Sequence, residues 1–509
     1  LAKSPIIASS ANALPNRWLR LEPMSEASAK RILSGSLALA VARFGAPLAL
    51  GMGLQTAFNL IDAFVISRLG DASAGPALGA IGICDQLAAL GTIVSYGLSV
   101  ATATLISRKV GEGKHDDVKE IAWQSLIVVG ALSLFFGLFG GFGAGFVLRY
   151  VVGAKGEVAN LGVPYLRVML GGSFTIFLLM HLTSVQRALG SSKTPVGMLV
   201  ASNVLNLILA VVLVYGPADS PAILSWGRPI ARLFGIPRMG LMGAAWATLL
   251  ARATVLIPLI AILMKRFGLF LKRSAPHTGT IVSIVRLGWP SSAQLVMRIL
   301  AMLLTHSLVA RAFTTPTDQS ATTALGIVFR LETMALFVGL GWGSAAQTFV
   351  GQNLGAQNPE RAKQSGWYAA AYNAAMMAVL AICYVAYGER IVGFFDSDPE
   401  VLKPALSYLK WVGPSYVGLG IGIVLGSAIQ GAGATLRALA LDSAVIAGFQ
   451  LPTSVAFVLS RGATYVGVWK IVALTYFLFA VVYVVSYRRG RFLNAAPAEP
   501  HAATPAPAS

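Results

Sequence analysis

"TFVGQNLGAQNPERAK", residues 348 to 363, is a polar stretch set between two runs apolar enough to lie in lipid, and "TLISRKVGEGKHDDVK", residues 104 to 119, repeats its pattern far upstream. In the later copy Gly355 suits the end of a helix, and the next helix finds a cap in Asn358, a first residue in Pro359 and a favourable charge in Glu360. In the earlier copy Gly111 or Gly113 is the stop and Asp116 or Asp117 the cap. Tight, capped turns at a membrane surface account for the polarity. They do not account for the recurrence.

The recurrence is wider than these two turns. At an offset of 243 to 244 residues, positions 80 to 111 lie over 324 to 355 without a gap, sharing Ala80/Ala324, Gly82/Gly326, Leu87/Leu331, Gly97/Gly341, Thr104/Thr348 and Gly111/Gly355. "GAP" at 45 to 47 matches "GWP" at 288 to 290, "YLR" at 165 matches "YLK" at 408, and "QRALGSSK" at 186 matches "QGAGATLR" at 430. Matches that keep their order and spacing indicate two homologous halves.

Composition sets the environment of those halves. With 56% hydrophobic and 12% charged residues in 509, the chain cannot wet a soluble surface. Runs of about 20 apolar residues, enough to cross about 30 Å of hydrocarbon, fall at 43 to 66, 77 to 106, 120 to 146, 160 to 186, 195 to 216, 240 to 263, 287 to 310, 321 to 350, 364 to 387, 404 to 430, 438 to 459 and 465 to 487. The expected fold is all-α and polytopic: twelve transmembrane helices in two six-helix lobes around a central cavity. The expected divisions are an N-terminal tail at 1–40, an N-lobe at 41–264, a basic linker at 265–286, a C-lobe at 287–488 and a disordered Ala/Pro-rich tail at 489–509. Six is even, so both halves enter from the same side and the repeats are parallel.

The net charge of +19 would suggest nucleic acid in a soluble chain, but its placement excludes that reading. With the N-terminus in the cytoplasm, 22 of the 39 lysines and arginines lie on that side, 10 outside and 7 within spans. This is the positive-inside bias, and it predicts cytoplasmic termini in a bacterial inner membrane. Lys265, Arg266, Lys272, Arg273 and Arg286 cluster where the halves join. Cys84 and Cys383 both sit inside spans, with no disulfide or metal spacing. Residues 1 to 36 do not read as a secretory signal, and Met24 is a compatible start of translation.

The wording of the polar stretches resembles the multidrug and toxic compound extrusion (MATE) family. The residues that carry it are "VGQNLGAQNPERA" after the eighth span, its echo after the second, "GAP...LIDAFVISRLG" across the first, "QRALGSSKTP...SNVLN" from the fourth into the fifth and "GLMGAAWATLLAR" entering the sixth. The resemblance spans roughly residues 40 to 488 and implies two lobes around a V-shaped cavity. It also implies export of organic, often cationic, compounds against inward H+ or Na+. No cofactor, no nucleic-acid partner and a monomer in the bilayer are the accompanying expectations.

An acid at the bilayer centre costs about 2.5 to 3.5 kcal/mol, so each one needs a reason. Gln55, Asn59 and Asp62 share one face of the first span, and the resemblance assigns Asp62 to ion coupling. Asn203, Asn206 and Thr248 offer oxygens near it in the resembling pattern, for a proton relay or for Na+; as bland alternatives, they bond between helices. Ala210 stands where some relatives place an acid, which favours H+ over Na+. Asp85 heads a polar face with Thr92, Ser99 and Thr102 that either lines the cavity or meets solvent. In the second half Arg298 stands at the position of Gln55, and Glu332 of the eighth span is its expected partner; Arg298 is alternatively a receptor for an anionic substrate group. Phe337, Trp342 and Trp289 offer aromatic surface, and His181 reads as a packed residue. The runner-up reading is a flippase for a lipid-linked saccharide, favoured by Arg298 and the positive charge. No P-loop, metal cluster or nucleophile arrangement suggests an enzyme.

Overall fold

The computed structural model describes residues 32–69, 74–270, 274–315 and 317–494. The first lobe consists of α1 (Leu37–Ser67), α2 (Ala74–Gly111), α3 (His115–Phe146), α4 (Gly156–Gly171), α5 (Ser173–Ala188), α6 (Lys193–Tyr215), the short α7 (Gly227–Leu233) and α8 (Leu241–Phe267). The second consists of α9 (Thr278–Phe313), α10 (Ser320–Gly355), α11 (Pro359–Ala386), the short α12 (Gly388–Gly393), α13 (Pro399–Val412), α14 (Tyr416–Gly431), α15 (Thr435–Val445), α16 (Leu451–Val458) and α17 (Tyr465–Arg488).

Among the described residues, eleven helical segments are long and apolar enough to cross a membrane, and α4 with α5 makes a twelfth bent by 41°. The bend falls at Gly172, where a Cβ would lie 2.0 Å from Leu249 on α8, so glycine permits a close approach there. The tenth span turns through Gly413–Ser415 between α13 and α14. The eleventh widens into a π turn at Ile446–Gln450, just before Pro452, which has no N–H to give to a regular helix.

The junction between lobes is shorter than its basic composition suggests. Helix α8 ends at Gly268 in the left-handed conformation, and α9 begins at Thr278, capped by the His277 side chain. Gln124 accepts from the His277 N–H at 3.0 Å and Trp123 donates to Ser274 O at 2.9 Å, pinning the linker to α3. Arg286 therefore lies inside α9, while Lys272 and Arg273 lie outside the described residues.

Both polar stretches form the expected turns. Asn358 Oδ1 accepts from Arg361 N at 3.1 Å, with Pro359 opening α11. Upstream the cap differs from the expectation: α3 begins at His115 after Lys114, which puts Asp116 and Asp117 in the first turn, facing the positive helix end. They pair with Lys119 at 2.9 Å and Lys109 at 3.4 Å. Burial pushes the neighbouring Glu112 carboxyl up, but hydrogen bonds and charge from Lys109 and Lys114 outweigh it and hold the group below the usual glutamate range.

The repeat-matched glycines are where the lobes touch. A Cβ on Gly111 would lie 2.0 Å from Gln352 O, and one on Gly355 would lie 2.1 Å from Arg108 O. One on Gly97 would meet Ser292 Oγ at 2.0 Å, and one on Gly341 would meet Ala49 Cα at 2.4 Å. Hydrogen bonds cross beside these contacts: Gln347 donates to Val100 O at 2.8 Å, Gln352 to Ala188 O at 2.8 Å, Thr104 to Gln430 O at 3.1 Å and Ser292 to Val94 O at 3.2 Å. Arg361 reaches the carbonyls of Ile32, Ser34 and Gly35. The bonds gather between mid-depth and the end bearing the 111–114 and 356–358 turns. The apolar core follows this division. Val41, Phe44 and Leu48 of α1 join the second lobe's core, whereas Val65 and Ile66 at the far end of the same helix belong to the first.

Candidate functional site

A narrow cleft, with room for about one water-sized group, lies at mid-depth against the second lobe, walled by Ser291, Gln294, Leu295 and Arg298 of α9, by Leu340 of α10, by Ile423, Ser427 and Gln430 of α14, and from the first lobe by Tyr96 of α2. The α9 residues recur at three- and four-residue steps, so one helix face supplies most of the polar wall.

Behind this wall runs a polar network inside the second lobe. Arg298 Nε donates to Asp442 Oδ2 at 2.6 Å and Nη2 to Oδ1 at 3.3 Å, and the Tyr483 hydroxyl donates to the same Oδ1. Gln294 Nε2 reaches Ala438 O at 3.3 Å and Tyr483 Oη at 3.0 Å, while Gln430 Nε2 donates to Gln294 Oε1 at 2.5 Å. Asp442 is fully buried, whereas the Arg298 side chain retains 12% exposure, on the cleft. Phe479 supports the guanidinium from one side, its centroid 6.0 Å from Cζ.

This corrects the expected pairing of Arg298 with Glu332. Glu332 is buried among aromatic rings and accepts from the hydroxyls of Tyr408 and Tyr476, from α13 and α17. It is absent from the cleft lining. Arg330, two residues earlier, is exposed, as two-residue spacing on a helix requires. Trp342 is likewise buried, stacked on Tyr372 with centroids 5.4 Å apart and pressed against Gly45.

In the first lobe α1 and α6 lie side by side, with Gly51 against Val196 and Tyr215 Oη donating to Val65 O at 2.6 Å. These contacts bracket Gln55, Asn59 and Asp62 on α1, and Asn203 and Asn206 on α6. Gln55 is half-buried; Asn59 and Asp62 are helical, with side chains outside the described residues. Asn203 is half-buried, and Thr248 Oγ1 of α8 lies 3.2 Å from Asn206 Oδ1 and 3.0 Å from Ala244 O. Asp85 is exposed and accepts from Tyr165 Oη at 3.1 Å. Its expected polar face is spent elsewhere: Thr92, Ser99 and Thr102 each donate to their own helix's carbonyl four residues back. His181 is buried against Ser125 Oγ at 2.9 Å.

Asp442, Tyr408, Tyr476 and Tyr483 were missed by the sequence reading. Asp442 is an acid in an apolar span, and that signal was legible; the tyrosines carry none apart from the seven-residue spacing of Tyr476 and Tyr483.

A model of the MatE family matches residues 47–212 and 296–458. The chain is 26% identical over 455 residues to "Probable multidrug resistance protein YpnP" of Bacillus subtilis, which covers 88% of this chain and 94% of that protein. It is 25% identical over 409 residues to the FAD transporter of Shewanella oneidensis, covering 78% and 83%. The solved structure of a multidrug resistance MATE family transporter of the MOP superfamily in an outward-facing conformation matches with a TM-score of 0.80 at 22% identity, covering 92% of this chain and 99% of that one.

Proposed function

Because the chain belongs to the multidrug and toxic compound extrusion (MatE) family, we propose that it is a proton-coupled antiporter that exports organic compounds, cationic groups among their features, across a bacterial inner membrane. Both termini lie in the cytoplasm, in keeping with the 22 to 10 division of lysines and arginines between the two sides. On that orientation the lobes are closed toward the cytoplasm, and the cleft belongs to the outward-facing arm of an alternating-access cycle.

The observation that supports this reading is that two repeat lobes meet at one end and that the two ends of α1 belong to different cores, on a helix whose sequence spaces Gln55, Asn59 and Asp62 along one face. A carboxylate on such a helix, loaded and unloaded by protons, biases which arrangement of the lobes is favoured. Asn203, Asn206 and Thr248 serve as its relay, and an inward ion supplies about 2.3 kcal/mol per charge per 100 mV. Among the described residues the cleft wall carries one basic residue, Arg298, rather than the several that a flippase for a polyanionic lipid-linked saccharide would need, which favours efflux.

The test is cationic-dye efflux from everted vesicles under a pH gradient or a sodium gradient, wild type beside Asp62→Asn. Efflux that follows pH, ignores sodium and disappears in the variant is expected. Undiminished efflux in Asp62→Asn sinks the coupling role, and no dye movement under either gradient sinks the efflux reading.

A further inference from the structure

Among the described residues that line the cleft, Arg298 carries the only charge. A guanidinium presents five N–H donors in a fixed planar fork. Asp442 grips the Nε/Nη2 edge from the interior, so the Nη1 end points away from its partner. The fully buried Asp442 makes the site stable when empty, because it prevents Arg298 from being an uncompensated buried charge. It also fixes the fork in place, so little ordering remains when a ligand arrives.

The neighbouring polar groups divide into committed and free. Gln294 and Gln430 are committed: Gln294 donates to Ala438 O and Tyr483 Oη and receives Gln430. Ser291, two turns from Arg298 on the same face, is buried, lines the cleft, and its Oγ has no hydrogen-bond partner among the described residues. Ser95, Ser107, Ser173, Ser454 and Ser486 are likewise buried with unpartnered hydroxyls among the described residues, and Ser291 differs from them in lining the cleft. Tyr96 closes the opposite side from the first lobe.

We propose that this is an anion subsite, in which a carboxylate on the transported organic molecule docks on the free end of Arg298 and accepts a further hydrogen bond from Ser291. The fork geometry matches the two oxygens of a carboxylate. The favoured substrates are then zwitterions, which pair a carboxylate with the cationic group, and a molecule with only cationic groups gains nothing from this wall. The assignment rests on the efflux reading for its transport arm.

The test compares a rhodamine bearing a free benzoate carboxylate with its methyl ester, two dyes alike but for the anionic group. Binding to the purified protein is read by fluorescence polarisation, and transport in proteoliposomes under a pH gradient. The wild type is expected to bind and move the acid at least about tenfold better than the ester, since charge-assisted bidentate hydrogen bonds are the strong ones. Arg298→Gln combined with Asp442→Asn, which removes both charges, should erase the preference in binding. Ser291→Ala, which keeps the ion pair and decides the matter if the double variant does not fold, should reduce the preference about threefold or more. Equal binding of the two dyes by the wild type, or a preference that survives in these variants, overturns the subsite. Tighter binding of the acid with neither dye transported supports the subsite and overturns the efflux reading instead.

Discussion

Arg298 and Asp442 stabilise one another only while both are present. Asp442→Ala leaves a guanidinium without its counter-charge, and a loss of about 3–5 kcal/mol is expected. Arg298→Met with Asp442→Leu, which removes both charges, should recover most of it. A melting series in detergent on the two single variants and the double variant checks this, and an additive double variant would contradict the pairing. Glu332 behaves differently because tyrosines, not a cation, hold it: Tyr408→Phe or Tyr476→Phe should each cost about 1–3 kcal/mol, the penalty of leaving a buried polar group short of a partner, in the same assay. At this scale the sequence was half legible. An acid or a base within a span announces that a partner exists, but Asp442 lies 144 residues from Arg298, and only the relative rotation of α9 and α15 selects it over Glu332. Asp62 stood out because it shares a helix face with Gln55 and Asn59.

The helices themselves were the most legible part, because length and apolarity alone define a span, and Asn358-Pro359-Glu360 is local capping chemistry. Asn358→Ala should cost about 0.5–2 kcal/mol, measurable as earlier hydrogen exchange in the first turn of α11. The break at Gly172 was not legible, since glycine is common in membrane helices and only the approach of Leu249 shows why it is needed there. Glycines at lobe crossings and glycines facing lipid respond differently to an added methyl. Gly355→Ala forces a Cβ onto Arg108 O and should part α2 from α10, raising the reaction rate of a cysteine placed at Ser107 with a water-soluble maleimide. Gly130→Ala, exposed with open space around the site, should leave that rate unchanged and stabilise α3 by about 0.5–1 kcal/mol.

Across the whole molecule, a cycle between two arrangements requires the closed end to separate. A Cβ on Gly351 would lie 2.7 Å from Ser107 Cβ, near enough that cysteines at both positions bond after a small adjustment. In a chain first freed of Cys84 and Cys383, Ser107→Cys with Gly351→Cys should stop dye efflux on oxidation and regain it on reduction; efflux that continues through a formed cross-link would show that this end stays shut. The two-lobe organisation was legible in the recurrence at constant offset, whereas the meaning of the matched glycines was not. Gly111, Gly355, Gly97 and Gly341 read as helix breakers or spacers until the lobes are seen facing one another.

Those glycine crossings obey a rule of their own. Gly111 meets Gln352 and Gly355 meets Arg108, and Arg108 is the repeat counterpart of Gln352; Gly97 meets Ser292 as Gly341 meets Ala49, again counterparts at the repeat offset. A surface that contacts its own copy in this reciprocal way is the isologous pattern of a twofold homodimer. The seam is therefore already complete in the geometry of a half-length chain: two identical six-helix proteins carrying these glycines would associate through the same contacts. The dyad persists at the seam although the lobes differ beside it, Gln55 standing in the first where Arg298 stands in the second.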